Sequence, residues 1–116
     1  MAKIKSQQLE AKYSIYTALI TQTGTGAPTV TVLENTLSGP IVWTYSSVGF
    51  YVGTLASAFV EDKTACLLQD SLGDTHSVVY RASDDTVEIS IKTISGSPAA
   101  IDNSLFKTLV EIKIYQ

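Results

Sequence analysis

Residues 41–55, with the sequence IVWTYSSVGFYVGTL, decide the fold of this chain. Two runs of β-branched and aromatic residues, IVWTY and FYVGTL, flank the four residues 46–49. This spacing, with a glycine able to adopt positive φ at the end of the connection, predicts a β-hairpin with a four-residue loop. The hairpin holds the only tryptophan and two of the six tyrosines, and it holds no obvious acid, base or nucleophile. It therefore indicates a kind of structure rather than a particular chemistry.

Alternation of apolar and polar residues continues on both sides of this hairpin. Strands are predicted at residues 13–21, 29–35, 64–69, 77–81, 86–93 and 109–116, with turn-forming residues between them. The first of these is apolar on both faces, which indicates a strand covered on both sides. Phe59 is expected to turn inward from the connection at residues 56–63, and a short helical turn is expected near residues 97–98.

Seven or eight strands with no convincing amphipathic helix predict an antiparallel β-sandwich, with a small β-barrel as the alternative. Residues 13–116 are expected to form this single domain, because 116 residues are about one domain. Residues 1–12 are polar and poor in strand formers, so they are interpreted as a short helical turn or an N-terminal arm.

Charge is scarce in this chain. Charged residues make up 16% of the sequence, against about 25% in a typical globular domain. A small particle has much surface for its volume, so this scarcity indicates that part of the surface is covered by another copy or another protein. A net charge of −3 without basic clusters argues against sequence-independent nucleic-acid binding and against anionic membranes.

The sequence shows no pattern that would direct the chain into a membrane or into the secretory pathway. It has no apolar run of about 18 residues and no secretory signal pattern at its start. Its one cysteine, Cys66, cannot form an internal disulfide and lies in an apolar setting typical of a core residue. We therefore expect a protein made in a cytoplasm.

The candidate chemical groups favour structural interpretations. His76 is the only histidine and is predicted in a polar loop, residues 70–76, beside Asp70 and Asp74, but no serine has nucleophile-elbow spacing. Asp70, Asp74, Asp84 and Asp85 would bind a cation only if their two loops met at one end of the sandwich, and aspartate also favours turns for backbone reasons. The sequence therefore predicts no enzyme, no metal and no cofactor.

Five aromatic residues are candidates for an interface or a ligand site: Tyr16, Trp43, Tyr45, Phe50 and Tyr51. One interpretation places Trp43 in the core, on the same strand face as Ile41 and Tyr45. The other is an aromatic platform for sugar rings or a subunit contact. Tyr45 and Tyr51 are expected to reach the surface, because a phenol needs a hydrogen-bond partner.

Several segments in order resemble one family: TALITQTGTGAP, VTVLENTLSG, IVWTYSSVGFYVGTLASAF, DKTACLL and, at the end of the chain, VEIKIYQ. The family is that of small β-domains of phage virion and fibre proteins, found in phages and prophages of Bacteroidetes-type bacteria. Its most specific pieces here are LENTL at residues 33–37 and the hairpin with Trp43, Tyr51 and Gly53. The family signature is structural, so the resemblance implies no catalytic residues.

The resemblance implies a virion component such as a head fibre, a tail fibre or a capsid-decoration module. Its expected partners are other virion proteins and copies of itself, with a trimer as the usual symmetry of fibres. Residues 1–12 fall outside the resemblance and are candidates for attachment to the particle. Such a protein is made in the host bacterial cytoplasm and located in the virion. The alternative function is a module that binds host-surface glycans.

Overall fold

The computed structural model describes residues 12–69 and 74–116. Every regular element in these residues is a β-strand. The strands are β1 (Tyr13–Thr21), β2 (Thr29–Asn35), β3 (Val42–Ser47), β4 (Phe50–Thr54), β5 (Thr64–Leu68), β6 (Thr75–Arg81), β7 (Thr86–Thr93) and β8 (Thr108–Tyr115). The predicted arm lies outside the described residues except for Lys12.

The eight strands form two antiparallel sheets of four strands each. The first sheet has the order β2-β1-β8-β5 and the second has the order β3-β4-β7-β6. Consecutive strands form the hairpins β1–β2, β3–β4 and β6–β7, whereas β8 inserts between β1 and β5. The two sheets pack face to face around one apolar core. The predicted antiparallel β-sandwich is confirmed.

Strand bounds were predicted best where alternation is regular, and three local predictions were wrong. In the central hairpin β3 continues to Ser47 through a register shift, so the connection is Val48 and Gly49 rather than four residues. Gly49 has φ +69°, and a Cβ there would lie 2.6 Å from the Ile91 carbonyl oxygen. His76 lies in β6 and not in a loop, and no helical turn forms at residues 97–98.

The core lies between the inward faces of both sheets. It is made of the alternating positions that the sequence predicted for β7 and β8, together with Phe59, which is fully buried as expected. Strand β1 was expected to be covered on both faces, but in this chain only the face with Tyr16, Ala18 and Ile20 lies in the core and the other face is half-buried. Trp43 fills the space over Gly53, and its indole N–H donates to the Tyr16 hydroxyl oxygen at 3.2 Å. That bond joins the two sheets in the middle of the core.

The two sides of the sandwich differ. On one side the edge strands β5 and β6 come close together, whereas β2 and β3 on the other side approach each other far less. We call the side between β2 and β3 the open side. Strand β2 is exposed at nearly every position there, which no other strand of the described chain matches.

Candidate functional site

A hydrogen-bonded cluster fixes the β7–β8 connection to the central hairpin. The Asp102 carboxylate accepts hydrogen bonds from the Gly49 backbone N–H, the Tyr51 hydroxyl and the Tyr45 hydroxyl, each at 2.8 Å. Burial by itself would raise the pKa of Asp102, but these three donors outweigh it and the pKa lies below its ordinary value. The cluster stabilises an anion that anchors a loop.

Gln22 extends this cluster into the core and is almost completely buried. Its Oε1 accepts from the Asn103 backbone N–H at 3.0 Å and shares with Asp102 the single hydrogen of the Tyr51 hydroxyl, which lies 2.8 Å from each. Its Nε2 donates its two hydrogens to the β1–β2 connection, where the carbonyl oxygens of Thr23, Gly24 and Gly26 all lie within 3.3 Å. One amide therefore holds two separate connections together at the same end of the sandwich.

The buried groups that could act as nucleophiles are held in their protonated forms. Burial, with the Asp102 carboxylate beside it, raises the pKa of the Tyr51 phenol far above its ordinary value. Burial also raises the pKa of the Cys66 thiol to about 11. Because a thiolate and a phenolate are the reactive forms, neither side chain is a nucleophile at neutral pH.

Within the described part of the chain, His76 has no acid–base partner of the kind that hydrolases use. It points outward from β6, where its neighbour on β7 is Lys92 rather than a carboxylate. The nearby Asp74 carboxylate binds the Ser95 backbone N–H and hydroxyl instead. A surface depression of about 350 Å³ beside His76 has a described lining of His76, Lys92, Thr93, Ile94 and Pro98, none of which is a carboxylate.

The acidic loops do not meet. Asp74 precedes β6, whereas Asp84 and Asp85 follow it in the β6–β7 turn. A strand of this length spans about 20 Å, so these carboxylates cannot share one cation. Asp70 lies outside the described residues. Among the residues that the structure does describe, no three His, Cys, Asp or Glu side chains form a group that could hold a metal ion.

The five predicted aromatic candidates separate into two groups. Tyr16, Trp43 and Tyr51 are core residues, so their side chains offer no surface to a partner. The expectation that Tyr51 reaches the surface was wrong, because Gln22 and Asp102 supply its hydrogen-bond partners inside the protein. Tyr45 and Phe50 are only half-buried, and they stay candidates for contact.

The outward face of the second sheet carries few charges. Its members are the side chains that alternate with the core positions of β3, β4, β7 and β6: Val42, Thr44, Ser46, Phe50, Val52, Thr54, Thr86, Glu88, Ser90, Lys92, His76, Val78 and Tyr80. We call this the outer face. Only Glu88 and Lys92 carry a formal charge on it, and Glu88 accepts a 2.7 Å hydrogen bond from the Tyr80 hydroxyl.

The sequence prediction did not include Val42, Val78 or Tyr80 as candidates. Their outward orientation follows from the same alternation that predicted the strands, since each is next to a core residue. The sequence did not reveal that β3, β4, β7 and β6 lie side by side in one sheet. Only the sheet order brings three scattered outward residues onto one surface.

Comparison of the chain with protein-family models, with curated proteins and with solved structures finds no match in any of the three. The residues of the chain itself are therefore the basis for assigning a function. In the part of the chain that the structure describes, no helix has the length and apolar character needed to cross a membrane.

Proposed function

We propose that this chain is a non-enzymatic structural protein of a phage virion, a fibre or capsid-surface module that assembles through protein–protein contacts. The observation that carries the proposal is the outer face of the second sheet. A β-sheet face lined by Val, Phe, Tyr, Thr and Ser, with two formal charges, suits a protein partner better than it suits water.

The apolar side chains of the outer face supply the driving force for such a contact. Val42, Val78 and Tyr80 are exposed, and Phe50 and Val52 between them are half-buried. Covering apolar surface contributes roughly 25 cal/mol for each Å² removed from water. The hydroxyl groups of the neighbouring threonines and serines can exchange water for hydrogen bonds to the partner at little cost.

The absence of an enzymatic role is part of the proposal. The phenol of Tyr51 and the thiol of Cys66 are protonated at neutral pH, and His76 has Lys92 as its strand neighbour. These observations support a structural role, since nucleophilic catalysis needs an activated group with a base beside it.

The proposed assembly is a homo-oligomer in contact with other virion proteins. A trimer is the symmetry that the resemblance to phage fibre domains implies, and residues 1–12 are proposed to contribute to attachment. The protein would be made in the host bacterial cytoplasm and located in the virion.

The test is the presence of the chain in particles. Particles from cells that carry the gene are purified, and the copy number of the chain is measured by quantitative mass spectrometry. Val78→Lys places a charge on the outer face and is expected to lower that copy number at least tenfold. Val60→Lys, at an exposed valine in the β4–β5 connection, is the matched control and is expected to leave it unchanged. A wild-type chain that never appears in particles and binds no virion protein would refute the proposal.

Glycan binding is a second candidate function because of Tyr80 and Glu88. Tyr80 is exposed on the outer face, and its hydroxyl is held by the Glu88 carboxylate. An aromatic ring beside a carboxylate suits a sugar, which stacks its C–H face and donates its hydroxyls. Binding on a glycan array that is lost on Tyr80→Ala would support this function. Tyr51→Ala would not test it, because Tyr51 is a core residue.

A further inference from the structure

Strand β2 has apolar side chains that the other described residues leave uncovered. Val30 and Val32 point toward the inside of the sandwich, because they pair with the core positions Ile20 and Ala18 of β1. Val32 is nevertheless 47% exposed, and the next residue, Leu33, is 57% exposed. An inward-facing valine with half of its surface in water indicates a missing neighbour.

The free edge of β2 lacks the usual protection of an edge strand. Its sequence, TVTVLEN, contains no Lys and no Pro, and Glu34 is its only charge. Among the described strands only β1 pairs with it, so the backbone groups on its other edge are available for hydrogen bonding. Exposed edges are normally protected by charge, proline or a covering segment, because they accept further strands.

We propose that two copies of this chain associate by antiparallel pairing of their β2 strands across a two-fold axis at Thr31. The proposal rests on the homo-oligomer part of the proposed function and specifies the surface that carries it. The pairing joins the two first sheets into one eight-stranded sheet. Each copy then supplies the neighbour that the other copy's Val32 lacks.

The sequence of β2 complements itself in this register. Thr31 lies opposite Thr31 of the second copy, and Val30 lies opposite Val32 in both directions, so apolar side chains meet on the inward face. The two Glu34 carboxylates, the only charges in the strands, lie at opposite ends of the contact. Shifting the axis to Val32 would place Val30 opposite Glu34, and shifting it to Val30 would bring Pro28 into the pairing, where it cannot donate.

A second copy suits the edge better than a large partner. A register shift where β2 pairs with Thr17 and Ala18 of β1 interrupts the regular strand near Leu33, so the paired stretch is short. Standard interfaces use about 20–30 residues a side. Residues beyond β2 must therefore add to the contact, and the self-association is expected to be moderate, with a dissociation constant of about 1–100 µM.

The first test is sedimentation velocity of the full chain from about 10 µM to 1 mM. With rising concentration the wild-type protein is expected to double its mass, from monomer to dimer or from trimer to hexamer. Val32→Glu is expected to raise the dissociation constant at least tenfold, because it places a charge at the inward-facing edge position. Val60→Glu, at a similarly exposed valine of the β4–β5 connection, is the matched control and is expected to change it less than threefold. Thermal melting confirms that both variants are folded.

The second test traps the register. In a Cys66→Ser background, Thr31→Cys is expected to form an interchain disulfide under mild oxidation, because the axis places the two residues opposite each other. Thr29→Cys, which would lie opposite Leu33, is expected to form less than a tenth as much. Equal cross-linking of the two variants would overturn the register.

Three other results would overturn the β2 contact itself. They are a wild-type monomer at every concentration, an oligomer insensitive to Val32→Glu, and an oligomer weakened as much by Val60→Glu as by Val32→Glu. The copy number of the chain in particles is a separate measurement. The proposed virion role is therefore judged by that copy number and not by these three results.

Discussion

Gln22→Glu replaces one nitrogen by oxygen with almost no change in shape, and we expect it to destabilise the chain severely. In the wild type the Gln22 Nε2 donates its two hydrogens among three carbonyl oxygens at 2.8–3.3 Å. A carboxylate oxygen at that position accepts instead of donating, so these bonds are lost and four oxygens face one another. Two lost hydrogen bonds at about 1 kcal/mol each, with the penalty for a buried charge, give about 3–5 kcal/mol at neutral pH.

The pH dependence of this loss has a defined sign. Burial and the facing carbonyl oxygens raise the pKa of the introduced carboxyl in the folded state above its unfolded value of about 4.3. The penalty is therefore small near pH 4, where the carboxyl is protonated in both states. The loss of stability grows as the pH rises from the pKa of this carboxyl in the unfolded state toward its higher pKa in the folded state.

Chemical denaturation of the wild type and the variant at several pH values between 4 and 8 measures both effects. Gln69→Glu is the matched control, because the exposed Gln69 makes one side-chain bond, accepting from the Leu109 N–H. That control is expected to change the free energy of unfolding by less than about 0.5 kcal/mol. A Gln22→Glu loss below about 1 kcal/mol at pH 7, or a loss that does not vary with pH, would refute the reasoning.

Three further predictions concern the core and the Asp102 cluster. Gly53→Ala would place a Cβ 2.8 Å from Ile41 Cγ2 and 2.9 Å from Trp43 Cζ3, so we expect a loss of about 1–3 kcal/mol on denaturation; a neutral result would contradict the packing. Cys66 should react slowly with a thiol reagent at pH 8 in the native protein, given a pKa of about 11, and a rate equal to that of the unfolded chain would contradict its burial. Asp102→Asn should lower the melting temperature at pH 7. Because the folded-state pKa of Asp102 is depressed, its contribution is lost as the pH falls below about 4, and the two melting temperatures should converge there. A difference between the two melting temperatures that stays the same at every pH would show that the charge of Asp102 does not stabilise the fold.

The strands were predictable because alternation reports which side of a sheet each residue faces. Residues 13–21, 29–35 and 86–93 were predicted with the bounds that the structure has, and Trp43 was correctly placed among core candidates. Each of these depends on neighbours in sequence. Thr75 and His76 were assigned to a loop because polar residues surround them, yet pairing with β7 extends β6 over both.

The candidate site was less predictable, since its contacts join distant parts of the chain. Gln22 belongs to a segment, QTGTGAP, that local rules interpret only as a turn, and its partner Asn103 lies near the other end of the sequence. Tyr51 was expected outside because no nearby residue could satisfy its hydroxyl. The hydroxyl partners come from two other connections, which only the tertiary structure brings together.

The position of β8 decides when this domain can close. The strand that comes last in the domain's sequence lies between β1 and β5, so each of those strands keeps an unpaired edge until β8 has joined the sheet. Pairings between strands far apart in sequence slow folding and leave partly folded intermediates that are prone to aggregation. Tyr13 at the start of β1 meets its β8 partner, Tyr115, from the opposite end of the domain's sequence. A copy in which β8 has not yet paired therefore leaves β1 without one of its two neighbours, and with it β2, which among the described strands pairs with β1 alone.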